Sequence, residues 1–295
     1  MSGLISEKFR QWEKVCEDRY LRLKTNEEEL NRYFIDEYGL SDELDPFVAD
    51  KDVTIRKADI NREIKSLISY AAGCIFGRYS LDCDGLCYAG GEWDDDFYQT
   101  IIPVKEGIIP IGIGIFEDDL TSRIIGFVEK AYGSDTLEEN MRFIASVLGY
   151  DLTPKKALEH YLKSEFFHDH CRIYHKRPIY WMFDSGRKCH FKALAYLHSI
   201  TPQTTAILSE KYLPVYQRTL TEESDELKKS LLSAGPSEKP KMKRRITRIA
   251  EQMGELDDFS SRLSSHTNSR YRLELDDGVK VNYSIYSDVL EKIKP

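Results

Sequence analysis

The segment that most limits how this chain can fold is 179–197. IYWMF at 179–183 runs into the turn-forming DSGRK, and CHFKALAYLH follows with a period of two. Side chains along a strand alternate between its faces, so Phe191, Ala193, Ala195 and Leu197 fall on one side and His190, Lys192, Tyr196 and His198 on the other. Asp184, Ser185 and Gly186 supply turn chemistry between the two runs. The pattern predicts a β-hairpin near 177–198, with a helix over 189–199 as the alternative. A lone hairpin is marginal in water, so the rest of the chain must cover its apolar side.

Most of that remainder has helical period. Phe9, Trp12, Cys16, Leu23, Leu30, Phe34 and Tyr38 step by three, four and seven, the stripe of a long amphipathic helix ended by Gly39. A second helix begins near Asp59 with Ile60, Ile64, Leu67, Ile68 and Ala71 inward, and Gly73 and Gly77 read as close packing against another backbone. EDDLTSRIIGFVEKAYG and TLEENMRFIASVLG each carry acids in the first turn and end on glycine. Another helix starts beyond Pro154. IIPVKEGIIPIGIGIF reads as short strands near 100–116, broken by Pro103 and Pro110. Past the β-hairpin, helical pattern resumes, breaks at SAGPSEKPK, and returns with Ile246, Ile249, Met253, Leu256 and Leu263. These predict an antiparallel helical hairpin near 203–265. Asp277-Gly278 makes a turn before a short strand and a last helix.

The expected fold is therefore α+β and predominantly helical. Its regions are 1–150, helical with the short strands; 151–200, mixed α/β; 201–268, a helical hairpin; and 269–295, a strand and a helix.

A formal net charge of -8 argues against a simple basic nucleic-acid coat, but the charge is uneven. Residues 1–60 hold ten basic against fifteen acidic side chains, 160–198 hold seven against three, and 239–248 hold six basic and no acidic ones. No stretch approaches the roughly 18 to 20 apolar residues of a membrane span, and the N-terminus turns charged too early for a secretory signal. A cytoplasmic location is expected. The six cysteines are scattered, which reads as reduced thiols; Cys83 and Cys87 lack two further ligands for a zinc knuckle. Six of the seven histidines fall within 160–198. On a helix His168 and His170 would point about 200° apart, so they do not form a ligand pair.

Few enzyme signatures appear. DELDPFVADKD and LELDDGVK offer carboxylates near lysine that a metal-dependent nuclease could use, but charged turns supply the same letters. IGIGIF lacks the third glycine and distant acid of a dinucleotide loop, and there is no Walker loop or nucleophile elbow. The basic and aromatic stretch is more suggestive. Arg187, Lys188 and Lys192 suit phosphates, while Arg177, Tyr180 and Trp181 suit base edges or stacking. The competing reading makes IYWMF core with snorkelling basic neighbours. Lys241, Lys243, Arg244 and Arg245, at the tip of the helical hairpin, are the second expected DNA contact.

KRPIYWMFDSGRKCHFKALAYLH resembles a signature of the PglX-type adenine-specific DNA methyltransferases of BREX phage-defence systems and of related restriction-modification methyltransferases. EEELNRYFIDEYGLSDEL, SLISYAAGCIFGRYSLDCDGLCYAGGEWD, FEDDLTSRIIGFV, TLEENMRFIASVLG and LDDGVKVNYSIYSDVLEKIK match in the same order, covering nearly the whole chain. The resemblance is to the C-terminal part of such enzymes. Adenine chemistry needs Asp or Asn followed by Pro-Pro and an aromatic residue. DPF at Asp45 to Phe47 is one proline short, so no catalytic residue is expected in this chain. IGIGIF replaces what is more often a polar, acidic stretch in the family.

The resemblance implies a DNA target-recognition and clamp portion, with a helical hairpin like the spacers of restriction specificity subunits. S-adenosylmethionine would serve the full-length enzyme and would not be held by this chain. The implied partners are double-stranded DNA, the catalytic methyltransferase portion and other defence-system proteins, with no membrane. The alternative is a protein-interaction module whose acidic N-terminal helices dock the catalytic half or another defence component.

Overall fold

A computed structural model describes residues 3–269 and 273–294. The expected hairpin lies at its centre. β2 (Tyr180–Asp184) and β3 (Lys192–Tyr196) pair antiparallel, with Tyr180 opposite Tyr196 and Asp184 opposite Lys192. β1 (Ile108–Ile111) pairs antiparallel with β3, giving the order β1-β3-β2. On the outer side of β2, Phe183 bridges Leu290, flanked by the Asp184 N–H donating to Val289 O and the Glu291 N–H donating to Met182 O. Pro110 does not break its strand but lies within β1, at a sheet edge, where a missing N–H is tolerated.

Helices cover both faces of this sheet. They are α2 (Ile60–Ile75), α3 (Leu120–Tyr132), α4 (Leu137–Leu148), α5 (Pro154–Ser164) and α6 (Phe166–Ile173) before the hairpin. Tyr180 and Tyr196 on one face meet Phe76 at the end of α2, and Tyr180 also meets Phe166 and His170 of α6. Behind the hairpin come α7 (Thr204–Ile207), α8 (Leu213–Ser233), α9 (Lys239–Ser269) and α10 (Val279–Ile285). Trp181 on the other face packs on Tyr283 and Tyr286, and Phe191 on Tyr216 and Phe259. The sheet is thus the middle of three layers. All of β3 is buried, including Lys192 and Tyr196, which alternation had placed on an outer face; only His190 of that set is exposed, and His198 is half-buried.

Asp59 caps α2 by accepting from the Arg62 N–H, and the helix starts where its apolar stripe does. Gly73 and Gly77 make room for the rings of Tyr79 and Trp93 rather than for a backbone. The helix expected beyond Pro154 is two, separated at Glu165, whose carboxylate holds Lys65 and the Tyr150 hydroxyl. Between α7 and α8 the chain makes a π-helical turn, Leu208–Tyr212. Pro214, early in α8, has no N–H for the carbonyl four residues back, so the regular ladder is already interrupted there.

The helical hairpin is formed by α8 and α9, joined through 234–238. Gln217 donates to Asp257 and Arg245 to Glu223, an antiparallel pairing. From Asp225 to Arg248, all described, no residue is buried, so the tip of the hairpin projects from the core.

Two expectations need correction. The first helix, α1 (Ile5–Glu37), has the expected length, but its buried residues are Ile5, Cys16, Tyr20 and Ile35. Trp12, Leu30, Phe34 and Tyr38 are exposed, because the segment near 46–57 returns along another flank, tied by Tyr20 to Asp50 O, Lys24 to Asp50 and Lys57 to Glu17. At the other end, the segment expected as a strand is a helix, and beyond it Leu290 makes only an isolated bridge to Phe183. The alternating letters of VKVNYSI form α10, because Asn282 donates to Glu274 O and Gly278 O, while Tyr283 and Tyr286 share a buried face at helical spacing. Residues 270–272 and 295 of the expected C-terminal region, and 1–2 of the first, lie outside the described residues. No helix among the described residues is long and apolar enough to cross a membrane.

Candidate nucleic-acid interface

The turn between β2 and β3 is held open by a carboxylate from α9. Glu255 accepts from the backbone N–H groups of Lys188 at 2.8 Å and Cys189 at 2.5 Å, and Gln252 donates to Lys188 O at 3.0 Å. Gly186, at φ 130°, leaves space that a Cβ would take from the Glu255 carboxylate. At the base of the turn, the Gly186 N–H donates to Asp184 and the Phe191 N–H to Ser185 Oγ. Arg187 and Lys188 are consequently presented to solvent on a pinned loop, with Lys188 Nζ 3.9 Å from Glu251.

At 100° per residue, Lys241, Arg244, Arg248, Glu251 and Glu255 share one side of α9. The side that receives the turn therefore continues toward the hairpin tip as an exposed line of Lys241, Arg244 and Arg248. From Lys241 to Glu255 this line runs about 21 Å at 1.5 Å per residue. Lys241, Arg244 and Arg248 thus form a basic ridge whose far end, at Glu251 and Glu255, receives the turn that carries Arg187 and Lys188. Arg248 closes the 241–248 basic run that sequence reasoning expected at DNA, although it was not singled out there, and Glu255 was missed. The step of three or four from Lys241 to Glu255 was the available signal.

The other expected contacts are placed elsewhere. Tyr180 and Trp181 are 1% and 0% exposed, the latter with its indole N–H donated to Pro178 O, so neither ring presents a face to a base. Lys192 is buried with its Nζ 2.6 Å from Glu291 and 3.5 Å from Asp184, which removes it from the phosphate-contacting set. Arg245 is turned toward α8, where its bidentate pair with Glu223 holds the guanidinium above its ordinary pKa. Lys243 is exposed but about 120° around α9 from the ridge. Arg177 is exposed at the opposite end of β2 from the turn.

Gly112 leaves room for the Phe116 ring, and the start of α3 is filled by Asp119, which accepts from the N–H groups of Thr121 and Ser122. Among the described residues, no group of three or more His, Cys, Asp or Glu is arranged to hold a metal ion. His168 pairs with Glu291 while His170 points into the sheet, where its Nε2 accepts from the backbone of Ile179 and Tyr180.

No protein-family model matches the chain. The adenine-specific methyltransferase PglX of Lacticaseibacillus casei (strain Zhang) is 44% identical over 282 residues, covering 94% of this chain and 24% of the relative. The adenine-specific methyltransferase BrxX of Escherichia coli O9:H4 (strain HS) is 37% identical over 281 residues, covering 90% of this chain and 23% of the relative. The present chain spans about a quarter of the length of these relatives. Over at least nine-tenths of its length it is homologous to one segment of the PglX and BrxX adenine-specific methyltransferases.

Proposed function

We propose that this chain is the DNA-holding and target-recognition segment of an adenine-specific methyltransferase of a phage-defence or restriction-modification system. The observation that carries this reading is the pinned turn: Glu255 holds the backbone of Lys188 and Cys189, next to exposed Arg187, on the side of α9 that also carries Arg248, Arg244 and Lys241. A straight basic ridge suits the phosphate backbone of a duplex, which positions a protein without itself specifying sequence. Methyl transfer and S-adenosylmethionine belong, in this reading, to the remaining three-quarters of the enzyme, and the setting is cytoplasmic.

Duplex binding by the chain is expected to weaken steeply with salt. Replacing Arg187, Lys188, Arg244 and Arg248 together by alanine should flatten the slope of log K against log salt by about 0.9 per lost phosphate contact. Lys243→Ala, off the ridge, should change it little. Binding that is absent, or independent of salt, refutes the reading.

A second reading, a docking module for the rest of the methyltransferase, is favoured by α1. Leu30, Tyr33 and Phe34 form an exposed apolar patch on that helix, extended by Tyr38. The relatives contain about three times as much polypeptide outside the matched segment as within it. The portion of the Lacticaseibacillus casei PglX outside that segment is the expected occupant. Leu30→Asp with Phe34→Asp should weaken its binding at least tenfold while leaving duplex binding by the present chain intact. Unchanged binding of that portion removes this role.

A further inference from the structure

A thiol pair lies outside the ridge. The chain between α2 and β1 is anchored at Asp82, whose carboxylate accepts from the N–H groups of Gln99 at 2.9 Å and Thr100 at 2.8 Å and from the Thr100 hydroxyl. It is anchored again where the Cys87 N–H donates to Arg78 O at 2.9 Å. Between these fixed points the chain reverses through Gly85, at φ 87°, a left-handed conformation that glycine adopts without strain. The reversal brings Cys83 Sγ and Cys87 Sγ to 3.0 Å. All six cysteines are free thiols, but Cys16, Cys74, Cys171 and Cys189 are buried, whereas Cys83 and Cys87 are half-buried and open to reagents.

We infer that Cys83 and Cys87 form a reversible intrachain disulfide, with a hydroperoxide as the oxidant. The sulfurs need to close by only about 1 Å to reach the bonded distance of about 2.05 Å. Burial, with Cys83 beside it, pushes the Cys87 thiol up.

One of the two, as its thiolate, attacks a peroxide oxygen: an S–O bond forms, the O–O bond breaks, and the other oxygen is displaced and leaves as water after taking a proton, giving a sulfenic acid. The other thiol then attacks that sulfur as it gives up its proton, the S–S bond forms, the S–O bond breaks, and a second water leaves. Two thiols and one hydrogen peroxide give one disulfide and two waters. The sulfurs lose two electrons, and the peroxide oxygens gain them.

The staple acts where the loop meets the sheet. Just past Cys87, Tyr88 O accepts from the Tyr196 hydroxyl at 2.8 Å, and the Tyr88 hydroxyl donates to His198 O at 3.1 Å. Oxidation therefore closes the loop that seals the end of β3 far from the hairpin turn.

The experiment treats the full native chain with hydrogen peroxide, quenches it, alkylates remaining thiols in denaturant with N-ethylmaleimide and maps the peptides by mass. The expected result is joint loss of label at Cys83 and Cys87, a peptide lighter by two hydrogens, and full recovery with dithiothreitol. Phenylarsine oxide, which bridges neighbouring thiols, should protect the same two cysteines in the unoxidised chain. Cys83→Ser and Cys87→Ser should each abolish both the link and the protection. The inference is overturned if both thiols remain alkylatable after peroxide, if either ends as an unlinked sulfinic acid, or if the arsenical protects neither.

Discussion

Between pH 7 and pH 5 the chain is expected to lose about 2 kcal/mol of folding stability through His170 alone. His170 is 2% exposed, and its Nε2 accepts from the backbone N–H groups of Ile179 at 3.0 Å and Tyr180 at 3.1 Å, where β2 begins. An imidazolium cannot accept those bonds. Burial, and secondarily the charge of Arg78, lower the pKa from 6.5 to about 3.

The folded chain therefore keeps His170 neutral where the unfolded chain takes up a proton. The contribution is fully present above 6.5 and is lost as pH falls toward 3, about 4–5 kcal/mol across the window. His168 and His198, also held below their ordinary values by burial, slope the same way. The diagnostic quantity is thus the difference between the wild type and His170→Gln in urea unfolding at the two pH values. A His170→Gln variant that loses as much stability as the wild type contradicts the assignment.

Lys192→Ala is expected to cost about 3–5 kcal/mol, because it strands buried carboxylates that the ammonium now compensates. The side chains of Lys192, Glu291 and Asp184 are 8%, 13% and 21% exposed, and the His168 ring also lies beside Glu291, at 3.1 Å. Pairing the change with Glu291→Gln should recover part of the loss. The measurement is chemical unfolding, and the ridge variant with Arg187, Lys188, Arg244 and Arg248 replaced serves as the contrast. That variant should retain its stability and lose duplex binding. If Lys192→Ala instead leaves the unfolding midpoint unchanged and lowers only DNA affinity, the buried ion pair is not the structural element described above.

The hairpin was legible because its alternation and its turn residues are local. Its burial on both faces was not. Lys192 and Tyr196 have the letters of a solvated face, and only the arrival of Glu291 from a hundred residues away, and of α2 and α6, reveals that this face is covered. Tyr180 and Trp181 followed the same logic, since an aromatic beside basic residues reads equally as a stacking platform or as core.

In α9 the period was readable and the partner was not. Helical spacing separates Lys243 from Lys241, Arg244 and Arg248, but nothing in the local sequence says that Glu255 receives the backbone of residues 188 and 189. The first helix failed in the opposite direction. Its apolar stripe was plain, yet the chain itself covers a neighbouring flank, and Leu30, Tyr33, Phe34 and Tyr38 stay outside. For Cys83 and Cys87 the spacing was visible, whereas their contact depends on anchors at Arg78, Gln99 and Thr100.

The central sheet has an uneven history along the chain. Its middle, β2 against β3, closes over a short loop, but Ile108 must find Ala195, and Leu290 must find Phe183. The first pairing is cheap in chain entropy and the other two are not, because each edge joins segments many tens of residues apart. A ribosome would release the hairpin long before the segment that completes its outer side. Until then Trp181 and Phe191 lack the rings of Tyr283 and Phe259, so the nascent sheet carries an open apolar face for as long as the last third of the chain takes to arrive.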